Sequence, residues 1–234
     1  MERQDIDRVF RILQEEAKKW QDETVGKVTR DPFFVLLGGI LSHRTKDTTT
    51  HRVLLRLRPI IRRPEDLLLL SEAELARLIY PVGFYREKAK RLREIARILL
   101  ERYEGKVPET EEDLLALPGV GRKTANLVLS LAFGKPAICV DTHVHRITNR
   151  LGLVATKTPE ETERALQEIL PKDLWGKVNT LLVLFGQNVC LPRNPRCTTC
   201  PIAAFCERRG LPGETQGDNL TRAKGRRNTE HAGS

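Results

Sequence analysis

Four cysteines fall within 17 residues, in the order Cys190-x6-Cys197-x2-Cys200-x5-Cys206. No other feature constrains the fold as strongly. Around them helix signals give way to Pro, Asn and Arg, so this segment has little other means of folding. Three chemistries can close it. Disulfides need an oxidising compartment. Structural zinc takes four thiolates, but zinc ribbons usually pair two C-x2-C knuckles, and only Cys197 and Cys200 form one here. Iron–sulfur clusters also take four cysteines, at more varied spacing. The pattern predicts a four-cysteine metal site and leaves its identity open. The fifth cysteine, Cys139, stands between Ile138 and Val140 and reads as a small buried apolar residue.

Elsewhere apolar residues recur at helical spacing, and alternating strand patterns are scarce. Ile6, Val9, Leu13, Ala17 and Trp20 make one stripe, and Leu92, Ile95, Leu99 and Tyr103 another. Asp31-Pro32 offers an N-cap followed by proline at the first helical position. Ser71-x-x-Glu74 and Thr158-Pro159-Glu160-Glu161 read as capping boxes. Asp47, Thr110 and Asp141 are further caps, and Gly105 and Pro171 act as stops. The reading is all-α, with roughly ten short helices. On the helix around residues 86–101, Glu87, Glu94 and Glu101 are spaced to pair with Arg91, Lys90 and Arg97. That predicts a solvated face that also carries Arg86 and Arg93.

At 234 residues and 40% apolar content, the chain can bury a core without disulfide staples. No charge-free run is long enough for a membrane span, and acids in the first seven residues disfavour a secretory leader. A reducing, intracellular setting is therefore expected, which favours metal over disulfides at the cysteines. The formal charge of +9 favours an anionic partner, most often nucleic acid. From Leu211 onward the composition predicts a disordered tail.

Leu114 to Ser130 reads as a helix, a tight Pro118-Gly119-Val120-Gly121 turn, and a second helix from about Arg122. Glycines in such a turn allow positive φ and leave the backbone bare. Bare N–H groups at a helix start can bind a phosphate without reading sequence. Lys123 lies in the first turn of that second helix. Most lysines are solvated and protonated, with a reference pKa of about 10.4. Here the positive helix end, adjacent Arg122 and partial burial would favour a nucleophilic amine. Asp141 precedes a helical pattern and reads as an N-cap, worth about 1 kcal/mol. Its carboxylate would also suit a developing cation or a proton in transit. His143 and His145 are two residues apart and do not suggest a metal pair.

Together, Leu117-Pro118-Gly119-Val120-Gly121-Arg122-Lys123-Thr124-Ala125, Val140-Asp141-Thr142-His143 and the 6-2-5 cysteine spacing resemble the endonuclease III family of helix-hairpin-helix DNA glycosylases. The likeness runs from about residue 5 to 210. It implies that Lys123 and Asp141 are catalytic, and that Cys190, Cys197, Cys200 and Cys206 bind a [4Fe–4S] cluster. It also implies a helix-hairpin-helix glycosylase fold. A six-helix domain over 25–135 would face a four-helix cluster domain made from 1–24 and 136–210, with a DNA-binding cleft between. Residues 211–234 form the expected tail.

The implied activity is excision of oxidised pyrimidines from duplex DNA in base excision repair, with β-elimination at the abasic site through a lysine Schiff base. The expected partner is double-stranded DNA with damaged bases or abasic sites, bound by a monomer at the nucleoid. Implied DNA contacts are hairpin residues Leu117 to Gly121, with Arg193 and Arg196 at the cluster loop. Arg44 stands where the family usually has glutamine, the side chain that fills the gap left by a flipped base. Phe84 falls where the family places an apolar wedge, though it also reads as a core aromatic. The alternatives are a mismatch glycosylase acting on thymine or adenine, a non-catalytic iron–sulfur DNA-binding module, and a structural zinc protein. Lys123 argues against the first of these, and Lys123 with Asp141 against the second.

Overall fold

A computed structural model describes residues 2–211; the predicted tail lies outside them apart from Leu211. Among the described residues there are twelve α-helices and no strand. They are α1 (Arg3–Ala17), α2 (Val25–Val28), α3 (Pro32–Ser42), α4 (Asp47–Leu57), α5 (Pro64–Leu69) and α6 (Glu72–Ile79). Then follow α7 (Tyr85–Tyr103), α8 (Glu111–Leu115), α9 (Arg122–Leu131), α10 (Thr142–Leu151), α11 (Pro159–Ile169) and α12 (Lys172–Asn188). Short 3-10 turns at Cys197–Thr199 and Ala203–Phe205 carry the cysteine segment.

The local start signals are mostly used as read. Asp31 accepts the Phe34 N–H at 2.9 Å, ahead of Pro32. Ser71 and Glu74 exchange both halves of a capping box. Thr110 and Thr158 accept the Asp113 and Glu161 N–H groups. Two expectations are corrected. The Glu161 carboxylate bonds the Lys157 N–H instead of that of Thr158, so that box is only half closed. Asp47 is the first residue inside α4, and Lys46 is its cap. The Asp47 carboxylate is drawn away to the Gln187 amide of α12, 2.7 Å distant.

Two hydrophobic cores result. The first runs from Val28 to Ala137. Its centre is α3, buried on every side from Phe33 to Leu41. Against it pack α9 through Ala125, Val128 and Leu129, and α7 through Ala89, Leu92 and Ala96. The second core joins the two ends of the sequence. Ile6, Val9, Phe10 and Leu13 of α1 meet Val178, Leu182 and Phe185 of α12, with Val144, Ile147 and Leu151 of α10. Asn126 donates to the Ile138 carbonyl and Asn179 to that of Cys139, both at 3.1 Å, fixing the strap where the chain passes between cores. Among the described residues, no helix is long and apolar enough to cross a membrane.

The predicted solvated face of α7 is only partly realised. Arg86, Lys90 and Arg97 are exposed, but none of the three expected glutamate pairs appears among the ion pairs of the described residues. Arg93 instead donates to the carbonyls of Leu67, Leu68 and Leu70 at the end of α5. Helix C-termini leave carbonyls unpaired and attract cations.

Candidate active site

A cleft of about 1140 Å³ opens between the two cores. One wall comes from the end of α3, the start of α4 and the hairpin before α9. The other comes from the start of α10, the start of α11, and Gln187 of α12. Lys123 and Asp141 both line it, one from each core.

Lys123 is held by the packing of α9 on α3. Its ammonium lies 3.4 Å from the Ser42 hydroxyl, and its backbone carbonyl accepts from the Cys139 thiol behind it. Burial pushes that thiol up to about 12, so Cys139 packs as an apolar residue, as its neighbours predicted. Arg122 lines the same cleft as Lys123. It is engaged by Glu163 at 2.6 Å and Glu111 at 2.9 Å, tying α9 to α11 and α8. The Glu163 side chain is only 4% exposed, and such a buried carboxylate needs a partner.

Asp141 caps α10. Its Oδ1 accepts from the His143 and Val144 N–H groups, both at 2.9 Å, which leaves Oδ2 outside the cap. The two histidines have separate partners, and His143 also lines the cleft. His143 accepts from Arg146, and burial lowers its pKa; His145 bonds Thr162. Asp47 is a third charged group of the cleft. Burial, and then nearby Asp141, raise its carboxyl above the usual range, against Lys123, His143 and Gln187.

The hairpin presents backbone. Gly119 takes φ +74°, and a Cβ there would collide with the Arg91 side chain. Gly121 needs no positive φ and caps α9 with open space around it. Leu117 and Val120 are only 2% and 6% exposed and belong to the first core, so their side chains are not surface contacts. Pro118, Gly119 and Gly121 remain at the surface, followed by first-turn N–H groups of α9 that helix bonding leaves free.

Arg44 lines the cleft, and Phe84 is 59% exposed beside it, which rules out the core reading of Phe84. The Arg44 guanidinium lies over the Phe84 ring, 5.6 Å from its centroid. Arg193 and Arg196 are exposed on the cysteine loop and are not brought to the cleft.

All four clustered cysteines line one small cavity, walled by Ile147, Leu151, Phe185 and Ile202. Among the described residues, no three His, Cys, Asp or Glu side chains are grouped to hold one metal ion. Four thiols spread round a cavity fit a polynuclear cluster, in which each iron takes one, better than zinc, on which all four converge. The Arg150 guanidinium and the Arg208 N–H reach the sulfurs of Cys190 and Cys206. Burial raises the thiol of Cys200 to about 11, so bound metal must supply the charge that keeps it a thiolate.

Residues 37–172 match the family model of the HhH-GPD superfamily base excision DNA repair proteins. Residues 190–206 match the iron–sulfur binding domain of endonuclease III. The endonuclease III of Thermotoga maritima is 52% identical over 188 residues, covering 80% of this chain and 88% of that protein.

The chain belongs to the endonuclease III family.

Two solved structures agree. A non-covalent endonuclease III–DNA complex superposes with a TM-score of 0.80 at 35% identity, covering 89% of this chain and 96% of that one. A trapped endonuclease III–DNA covalent intermediate gives 0.77 at 36% identity, covering 89% and 97%. This family member is therefore a base excision repair glycosylase of helix-hairpin-helix fold, with a [4Fe–4S] cluster as its cofactor.

Sequence reasoning missed Lys88, Glu163 and Gln187. Lys88 had left a signal: it stands one turn before Leu92 on the apolar stripe of α7 and is 3% exposed. The other two act on partners 41 and 140 positions away, and no local pattern marks them.

Proposed function

We propose that the chain removes oxidised pyrimidines from duplex DNA and then cleaves the abasic strand, with Lys123 as nucleophile and Asp141 as its electrostatic partner. The observation that carries this is the convergence of an amine and a carboxylate on one cleft from two separate cores. The damaged nucleotide leaves the stack, which costs least where pairing is already weakened. The unprotonated Lys123 amine attacks C1′ of the sugar, and the C1′–N bond breaks with its electron pair leaving on the base. Ring opening gives a protonated Schiff base between Nζ and C1′. Loss of a C2′ proton then expels the 3′ phosphate, cutting the strand. Asp141 Oδ2 stabilises the cation as it forms, while Oδ1 holds the start of α10.

The hairpin holds backbone phosphate near Lys123, and Arg44 with Phe84 enters the space left by the extruded nucleotide. The cluster, held by Cys190, Cys197, Cys200 and Cys206, orders the loop carrying Arg193 and Arg196, and no redox step is required of it. The cleft is complete within one chain, which supports action as a monomer. DNA as substrate brings with it an intracellular, nucleoid-associated setting.

Duplex carrying thymine glycol, incubated with protein and borohydride, is expected to yield a covalent complex that Lys123→Ala abolishes. A wild-type protein that forms none, or a variant that still forms it, defeats this reading.

A further inference from the structure

Lys88 is a buried cation that the chemistry above does not use. It sits in the first turn of α7, and only 3% of the residue is exposed. All three of its N–H donors are taken. Nζ donates to the Leu41 carbonyl at 2.8 Å, the His43 carbonyl at 2.6 Å and the Thr45 hydroxyl at 3.3 Å. Two of these acceptors lie at the C-terminal end of α3, where carbonyls lack helical partners and the dipole favours a cation.

The same contact closes on the turn before α7. The Thr45 hydroxyl also accepts the Gly83 N–H at 3.1 Å. A Cβ at position 83 would collide with the Arg44 carbonyl, so the two backbones touch. The locked loops carry Arg44 and Phe84. Both hold left-handed backbone, φ 53° and 56°, which non-glycine residues keep only where the surroundings over-determine it. Burial, with Lys123 and Arg91 nearby, lowers Lys88 to about 8, so this cation is kept at a cost.

We propose that Lys88 is a positioning residue: its buried ammonium ties the end of α3 to the start of α7 and presets Arg44 and Phe84 as one paired probe of the duplex. The proposal rests on the reading that these two side chains enter the DNA. Ordering them before binding removes a cost otherwise met during nucleotide extrusion.

The test compares two borohydride-trapping rates on the full chain with its cluster. One substrate is duplex containing thymine glycol, which must be unstacked. The other is an abasic site in single-stranded DNA, which needs no probe. In Lys88→Met, the ratio of duplex to single-strand rate is expected to fall roughly tenfold to a hundredfold, the scale of an ångström-sized misplacement. Phe84→Ala should lower the same ratio. Equal loss on both substrates, or an unchanged ratio, in Lys88→Met makes the residue merely structural and overturns the proposal. An unchanged ratio in Phe84→Ala removes the probe itself and the proposal with it. If the wild type traps neither substrate, the catalytic reading has failed instead. Should Lys88→Met lose its helical circular dichroism, Thr45→Val, which deletes the oxygen shared by Lys88 and Gly83, is judged by the same ratio.

Discussion

Asp47 carries a charge that its surroundings disfavour. Burial and the neighbouring Asp141 raise its carboxyl above the usual range. The folded protein therefore holds that proton more tightly than the unfolded chain does. This residue's contribution to stability is full at low pH and is lost as pH rises through the raised value. Asp47→Asn removes that loss and keeps an oxygen for the Gln187 amide. Its urea midpoint is expected to exceed wild type at neutral pH, and the two should converge below about pH 4, the ordinary carboxylate range. A gain that persists at low pH would locate the effect elsewhere. At this scale legibility depended on the distance to the partner. Cys139 was readable from its two neighbours. Asp47 was misread as a cap because Gln187, far along the chain, claims its carboxylate. The pairing of Arg122 with Glu163 went unread for the same reason.

Among the helices, α10 is where the proposed function would join structure and chemistry in one side chain. Asp141 caps it through Oδ1, and Oδ2 is left for the cleft. Two substitutions separate the roles. Asn caps as well as Asp, so Asp141→Asn should keep its stability, whereas Asp141→Ala should lose about 1 kcal/mol in urea titration. Both should slow trapping of the damaged duplex, since both remove the charge. If Asp141→Asn traps at the wild-type rate, Asp141 is a cap and nothing more. Helix starts were the most legible part of the fold because a cap and its N–H lie within three residues, as at Asp31, Ser71 and Thr110. The hairpin was legible as a turn. Which of its residues face outward was not, since Leu117 and Val120 are claimed by a core assembled from distant helices.

For the whole molecule, the two cores predict uneven stability. The cysteine segment packs on the second core through Ile202, with Cys190, Cys200, Phe205 and Cys206 around it. Cys206→Ser is expected to lose the brown colour of the cluster. Amide protection should then drop in α10, α12 and α1, while α3, α7 and α9 stay protected. Uniform loss of protection would show that the cores unfold as one unit. All-α character was readable from periodicity alone. The pairing of α1 with α12 was not, because two amphipathic stripes carry no label naming their partner; only the family resemblance joined 1–24 to 136–210.

That pairing also sets an order of events on the ribosome. Residues 28–137 are contiguous and can condense as soon as they emerge. Helix α1 is made before that stretch, yet its apolar face of Ile6, Val9, Phe10 and Leu13 shares a core with Val178 to Phe185, which are synthesised after it. Among the described helices, the earliest in the sequence is thus among the last to dock. The nascent chain must carry that greasy face until α12 follows, and the cluster, whose cysteines lie beyond α12, can be received only after that wait ends.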